Sequence, residues 1–182
     1  MRIVLATPLY PPEIAEPAPY VKELAKRLSE RHTVTIVAYT RLPERVLGVP
    51  IVAVDKRRPL LLRLIAYFFA ILQTARKADI VYAMNGTSVE LPVALMSYVV
   101  RRPLIVRIGD TAAHTRAQQK WFSRFVERFA FSRAERVIDD APLIKPEIIP
   151  FEPFPTEKFT AHEESWDAHI RVLEDAFNHA SS

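Results

Sequence analysis

MRIVLATPLYPPEIAEPAPYVKELAKRLSERHTVTIVAY, residues 1–39, decides the fold. Arg2 to Ala6 is a short apolar run rich in β-branched side chains and reads as a strand. Thr7 to Pro19 carries five prolines, each without a backbone N–H, and reads as a long loop. From Tyr20 to Leu28 the pattern changes period. Val21, Leu24, Ala25 and Leu28 fall at i, i+3, i+4 and i+7, while Lys22, Glu23, Lys26 and Arg27 stay on the opposite side, as in a helix lying on a sheet. Thr33 to Tyr39 is again a strand. The unit is therefore strand, loop, helix, strand, with a connection long enough for a right-handed parallel crossover. Ligands of such sheets gather at the carboxyl ends of the strands, which makes the loop from Pro8 to Pro19 the first place to look for a site.

The same alternation continues outward. After a polar loop from Arg41 to Val49, Pro50–Val54 reads as a third strand, Pro59–Lys77 as a long helix and Ile80–Ala83 as a fourth strand. A helix over Val89–Val100 follows, with Ser88 or Thr87 as its cap and Pro92 expected in its first turn. Leu104–Ile108 is a fifth strand. A helix from about Thr115 to Arg133 carries Trp121, Phe122, Phe125, Phe129 and Ala130 at helical spacing, a stripe expected to be core. Arg136–Ile138 is a sixth strand. The fold class is α/β: a single Rossmann-like domain with an open, mostly parallel sheet of six or seven strands in the order 3-2-1-4-5-6 and helices on both faces.

The helix from Pro59 to Lys77 is apolar almost all round and admits two readings. One is burial between the sheet and its neighbours. The other is docking on a membrane surface, with Lys56, Arg57 and Arg58 before it and Arg76 and Lys77 after it. Only Leu64 to Leu72 is free of charge and apolar, far short of the about twenty residues that a span needs. Beyond the sixth strand, Pro142, Pro146, Pro150, Pro153 and Pro155 argue for an extended strap over 141–162. A last helix is expected over 163–182, with Trp166, Ile170, Leu173 and Phe177 as the stripe that returns it to the domain. The organisation is thus 1–140, 141–162 and 163–182.

Composition narrows the chemistry. The 182 residues carry 25 Lys+Arg against 21 Asp+Glu, a net charge of +4, with no long basic run, so nucleic acid is not an expected partner. There are no cysteines, which removes thiolate metal sites and cysteine nucleophiles and suits a reducing cytoplasm. Met1-Arg2 leads straight into a strand rather than a signal peptide, so the localisation expected is cytoplasmic, at the inner face of a membrane if the long helix docks. The five histidines show no metal-ligand grouping, and neither a metal nor a cofactor is expected. No P-loop, Gly-x-Ser-x-Gly or Gly-x-Gly-x-x-Gly motif is present, and with only three glycines a phosphate cradle has little to be built from.

Three places remain as candidates for binding. Asp110, in a Gly-Asp turn after the fifth strand, either orients a hydroxyl-bearing substrate or acts as a base, or else caps a helix. Asn85, Gly86 and Thr87 offer an amide, a flexible backbone and a hydroxyl to the same crevice, or form only a strand-to-helix turn. Glu13 and Glu16 lie in the opening loop, as site carboxylates or as solvated charges. Catalytic residues are not assignable from these patterns.

At this point the residues carry a family likeness. The opening resembles that of family-4 retaining glycosyltransferases of the GT-B type, in Pro11-Pro12, Leu24-Ala25-x-x-Leu28 and His32-x-Val34-Thr35. ADIVYAMNGTS, RPLIVRIGD and SRAERVI are similar to later strands of the same amino-terminal domain, and ESWDAHIRVLEDAF to the helix that crosses back onto it. The resemblance covers about residues 1–140. It implies the acceptor-side domain of an enzyme that moves a hexose from a nucleotide-sugar to a glycan or lipid acceptor, with both as weak partners here. It also implies two departures. The family's Gly-Gly pair, which approaches the donor phosphate or the acceptor, is Ala15 and Glu16 in this chain, and the donor-binding domain with its Glu-x7-Glu motif has no counterpart. What the resemblance implies is a half-enzyme, natural or engineered, that is not catalytic alone; the competing reading is a stable scaffold or interaction domain without catalysis.

Overall fold

A computed structural model describes residues 1–15, 17–109, 115, 119–139 and 156–181. Six strands form one sheet: β1 (Arg2–Thr7), β2 (Thr33–Tyr39), β3 (Ile51–Val54), β4 (Ile80–Met84), β5 (Leu104–Ile108) and β6 (Arg136–Asp139). Every pairing is parallel and the order is β3-β2-β1-β4-β5-β6, as the alternation predicts. Five helices are described: α1 (Ala18–Leu28), α2 (Leu60–Ala75), α3 (Thr87–Val100), α4 (Trp121–Arg133) and α5 (Thr156–Ser181).

The two faces of the sheet bury different side chains of the same strands, because successive residues point opposite ways. Ile3, Leu5, Val34, Ile36, Ile80 and Tyr82 face α1 and α5. Val4, Ala6, Val37, Val81, Ala83 and Val106 face α2 and α3. The direction of the chain explains this split. Among the described residues only the β1–β2 crossover carries a helix over the first face; the crossovers through α2 and α3 pass over the second. The first face beneath β4 would stay bare, and α5 covers it with Trp166, Ile170, Leu173, Ala176 and Phe177, all buried.

Helix α5 starts at Thr156, inside the segment expected as an extended strap. Pro155 is the last proline of that run, and once past it nothing in the sequence opposes a helix. The other residues of the strap, 141–155, lie outside the described residues. Helix α3 also departs from expectation. Gly86 is its N-cap and no side chain caps it, so neither Thr87 nor Ser88 has that role. Because the helix begins at Thr87, Pro92 is interior and not in the first turn. Its missing N–H would have bonded the carbonyl four residues back, that of Ser88. The Tyr39 hydroxyl supplies the replacement and donates to Ser88 O at 3.0 Å.

The expected burial of α2 and of the α4 aromatic stripe is not what the structure shows. On α2 only Tyr67, Ile71, Leu72 and Ala75 are buried, while Leu61 is 69% and Phe69 52% exposed. Of the α4 stripe only Ala130 is buried, with Val126 and Glu127 beside it; Phe129 is half-buried, and Trp121, Phe122 and Phe125 face solvent. Helical spacing fixes which residues share a face. It does not say which of two apolar faces meets the sheet, and in both helices the smaller set does.

Candidate functional site

The strand order reverses direction between β1 and β4, which makes the carboxyl ends of these two strands the crevice of the sheet. The loop after β1 forms one wall. Within it Thr7 Oγ1 donates to Leu9 O at 2.7 Å, Tyr10 is fully buried and the Pro11–Pro12 bond is cis. Glu13 pairs with Lys56 at 2.6 Å, and Glu44 N donates to Pro11 O at 3.2 Å, so the loop is tied to the segments beyond β2 and β3. Ala15 is exposed and its carbonyl accepts from Ala18 N at 2.9 Å. Glu16 lies outside the described residues.

The turn after β4 forms the other wall. Gly86 has φ +140°, a conformation that side-chain-bearing residues rarely adopt, and a Cβ placed there would sit 3.5 Å from Pro8 Cγ. The two walls therefore approach each other at Pro8 and Gly86. Asn85 is buried: its N–H donates to Arg107 O at 2.8 Å and its Oδ1 accepts from Gly109 N at 3.2 Å. Its carboxamide oxygen thus clips the ends of β4 and β5 together. Thr87 is the first residue of α3 and half-buried. Asp110 lies outside the described residues. The structure brings Asn85, Gly86 and Thr87 to the crevice, while Glu13 is engaged with Lys56 and Ala15 with the start of α1.

Helix N-termini offer N–H groups and a positive dipole end to a phosphate. Neither helix that opens at this crevice offers many. At α1, Pro17 and Pro19 have no N–H, and that of Ala18 is already bonded to Ala15 O. At α3, Glu90 is 1% exposed and its Oε1 accepts from Gly86 N at 3.1 Å, which places a carboxylate where an anion would bind.

Sequence reasoning missed a cluster beneath the crevice. Arg107 of β5 is 4% exposed, and its guanidinium carbon lies 3.6 Å from the centroid of the Tyr20 ring. A buried guanidinium keeps its charge, and the π face of Tyr20 stabilises it in place of water. The Tyr20 hydroxyl lies 2.8 Å from His169 Nε2 and 3.3 Å from the Tyr82 hydroxyl, and its ring stacks on Trp166 at 5.7 Å. One set of contacts joins α1, β4, β5 and α5. A signal was present in LIVRI, where an arginine interrupts a strand whose other residues are apolar. The tyrosines at the neighbouring rim are held as neutral phenols. Burial pushes Tyr10 up to about 12, with the Glu44 carboxylate adding to it. Burial likewise raises Tyr39 and Tyr67, whose rings stack at 4.4 Å, and the Tyr67 hydroxyl donates to Val37 O at 2.9 Å. Among the described residues no group of His, Asp or Glu is arranged to hold a metal ion.

An all-parallel sheet in this order, with its crevice between β1 and β4, defines a Rossmann-like domain whose switch-point crevice is lined by prolines and a single glycine turn. Sequence comparison then gives the family: the one described as "Glycosyl transferase 4-like domain" matches residues 16–144, more than half of the chain, and the chain belongs to it. A search of curated protein sequences finds no significant match. Among solved structures the fold is similar to HepE from Anabaena in complex with UDP and glucose, at 21% identity and a TM-score of 0.56, covering 75% of this chain and 37% of that one. HepE in complex with UDP-glucose gives 23% identity and a TM-score of 0.53 over 75% and 36%. This chain spans little more than a third of the length of those relatives.

Proposed function

We propose that this chain is the acceptor-side domain of a GT-B glycosyltransferase that draws on a nucleotide-sugar, and that the 182 residues alone do not transfer sugar. The observation that carries the proposal is the shape of the crevice in a chain of this family. Its walls meet at Pro8 and Gly86, yet the helix N-termini beside it are short of free N–H donors or filled by a carboxylate. Such a crevice suits a hydroxyl-rich acceptor better than a diphosphate. Glu13, Ala15, Glu16, Asn85, Gly86, Thr87 and Asp110 are the residues proposed to line or support it.

Two measurements test this. The first is turnover with a panel of UDP- and GDP-sugars and glycan or lipid acceptors, read by mass spectrometry; any sugar transfer by this chain overturns the non-catalytic reading. The second is an NMR titration with UDP of the parent and of Ala15→Gly/Glu16→Gly. Removing a β-carbon and a carboxylate from the loop should strengthen a weak, millimolar-range interaction, since a charge a few ångströms from a phosphate costs roughly 1 kcal/mol even in water. Binding by the parent that equals or exceeds that of the double variant would show that this loop is not where the phosphate is excluded.

A further inference from the structure

Three helices lie side by side on the second face of the sheet, and each turns an apolar stripe outward. On α2 the stripe is Leu61, Ile65 and Phe69, which are 69%, 44% and 52% exposed. On α3 it is Leu95 and Val99, with Tyr98 beside them. On α4 it is Trp121 and Phe125, 75% and 60% exposed. The patch is continuous between α3 and α4, since Tyr98 stacks on Phe129 at 5.9 Å and Phe129 on Phe125 at 6.4 Å. Exposed apolar stripes on three helices packed side by side mark an interaction site rather than ordinary surface.

The charges on this layer have one sign. The three helices contain two acids, Glu90 and Glu127, and both are buried at 1% and 2% exposure. Their exposed charges are arginines, Arg124 and Arg128 on α4, and further cations border the patch: Arg57 and Arg58 before α2, Arg101 after α3 and Lys120 before α4. The opposite layer differs. There α1 mixes Lys22, Glu23, Lys26 and Arg27, and α5 mixes Asp167, Arg171, Glu174 and Asp175. In the flanking chain Asp55, Asp79 and Glu135 are outnumbered by Arg57, Arg58, Arg76, Lys77, Arg101 and Lys120. An apolar face with an aromatic edge and an excess of positive charge around it matches the chemistry of an anionic lipid surface, where apolar side chains enter the acyl boundary and cations meet the headgroups. Among the described residues no helix is long and apolar enough to cross a membrane, so the contact is peripheral.

We infer that the outer face of α2, α3 and α4 docks on anionic bilayers. Because α2 and α4 each lead into the amino end of a parallel strand, their first turns, with Arg58, Leu61, Lys120 and Trp121, lie toward the rim that carries the crevice. Docking there would hold the crevice at the lipid surface.

The test is co-sedimentation of the chain with vesicles of phosphatidylcholine and of phosphatidylcholine with about a third phosphatidylglycerol. The expected result is binding to the anionic vesicles only, weakened by added salt. Each basic residue near such a surface strengthens binding by about fivefold, so Arg57→Glu/Arg58→Glu should weaken it by at least about 25-fold. Leu61→Ser/Phe69→Ser should also release the protein, with an unchanged melting temperature showing that the fold is intact. Trp121 provides a separate readout: its emission should shift to the blue on anionic vesicles, and Trp121→Phe should abolish the shift while leaving the signal of the buried Trp166. Absence of binding, equal binding to neutral vesicles, or binding indifferent to these variants overturns the inference. So does a dimer in light scattering that Leu61→Ser/Phe69→Ser dissociates, which would mean that the face is covered by a second copy of the chain.

Discussion

Replacing Trp166 with alanine is the most direct test of how α5 completes the domain. Trp166 is 3% exposed; its ring stacks on Tyr20 at 5.7 Å, the Arg27 guanidinium lies over it at 5.2 Å and the His169 ring meets its edge at 5.8 Å. Truncating a buried Trp to Ala typically costs about 3–5 kcal/mol, and in a domain of this size each kcal/mol lowers the melting temperature by about 2–4 °C. A fall of roughly 6–20 °C follows for Trp166→Ala. Val172→Ala, on the same helix but 61% exposed, should move it by no more than a degree or two and serves as the control for helix propensity. Calorimetry supplies the temperatures, and urea unfolding followed by circular dichroism supplies the free energies. If Trp166→Ala melts with the control, α5 does not bury this ring on α1, and the account of what covers the first face beneath β4 is wrong.

Three further outcomes follow from the rim of the sheet. In Gly109→Ala the new Cβ would clash with the Arg107 guanidinium, which must shift against the Tyr20 ring; a loss of about 1–3 kcal/mol in urea unfolding is expected, and no change would show that the guanidinium moves aside at no cost. Tyr39→Phe strips the Ser88 carbonyl of the hydroxyl that replaces the missing Pro92 N–H, and should cost about 1–3 kcal/mol, whereas Tyr39→Phe combined with Pro92→Ala should recover part of that loss. The Tyr10 hydroxyl is buried without a hydrogen-bond partner among the described residues, so Tyr10→Phe should stabilise by about 1 kcal/mol at neutral pH. The pH dependence has a definite sign. The folded value, about 12, is above the ordinary 10, so the neutral phenol's contribution is complete below pH 10 and is lost as pH rises toward about 12; the parent should lose stability across that window faster than Tyr10→Phe.

Much of this fold is legible in the order of the residues. The stripe of Val21, Leu24, Ala25 and Leu28 predicts the buried face of α1, and all four are buried. The alternation of strands and helices predicts the sheet order, because parallel crossovers leave few alternatives. Pro92 misleads because proline marks a helix start on average, and the residue that makes it tolerable, Tyr39, is remote in sequence. The aromatic stripe of α4 misleads for a different reason: periodicity carries no sign, and of that stripe only Ala130 turns inward, where it joins Val126 and the buried Glu127. Of the candidate site, Asn85 and Gly86 are recognisable from their place after a strand, but the role of the Asn85 carboxamide depends on Gly109, across the neighbouring strand. Arg107 shows itself only as an oddity in LIVRI. Tyr20 beneath it, and the Tyr82, Trp166 and His169 that surround Tyr20, are brought together by tertiary structure, and no local pattern announces them.

Helix α5 joins the domain's last element to its first. Glu174 reaches His32 at 3.0 Å and Arg31 at 3.4 Å, and the amino group of Met1 lies 3.4 Å from the same His32. What holds the first face shut is thus supplied from the far end of the chain: the last described strand ends at Asp139, and that helix begins at Thr156. A break in the chain between β6 and α5 would therefore part the sheet from the helix that covers its first face.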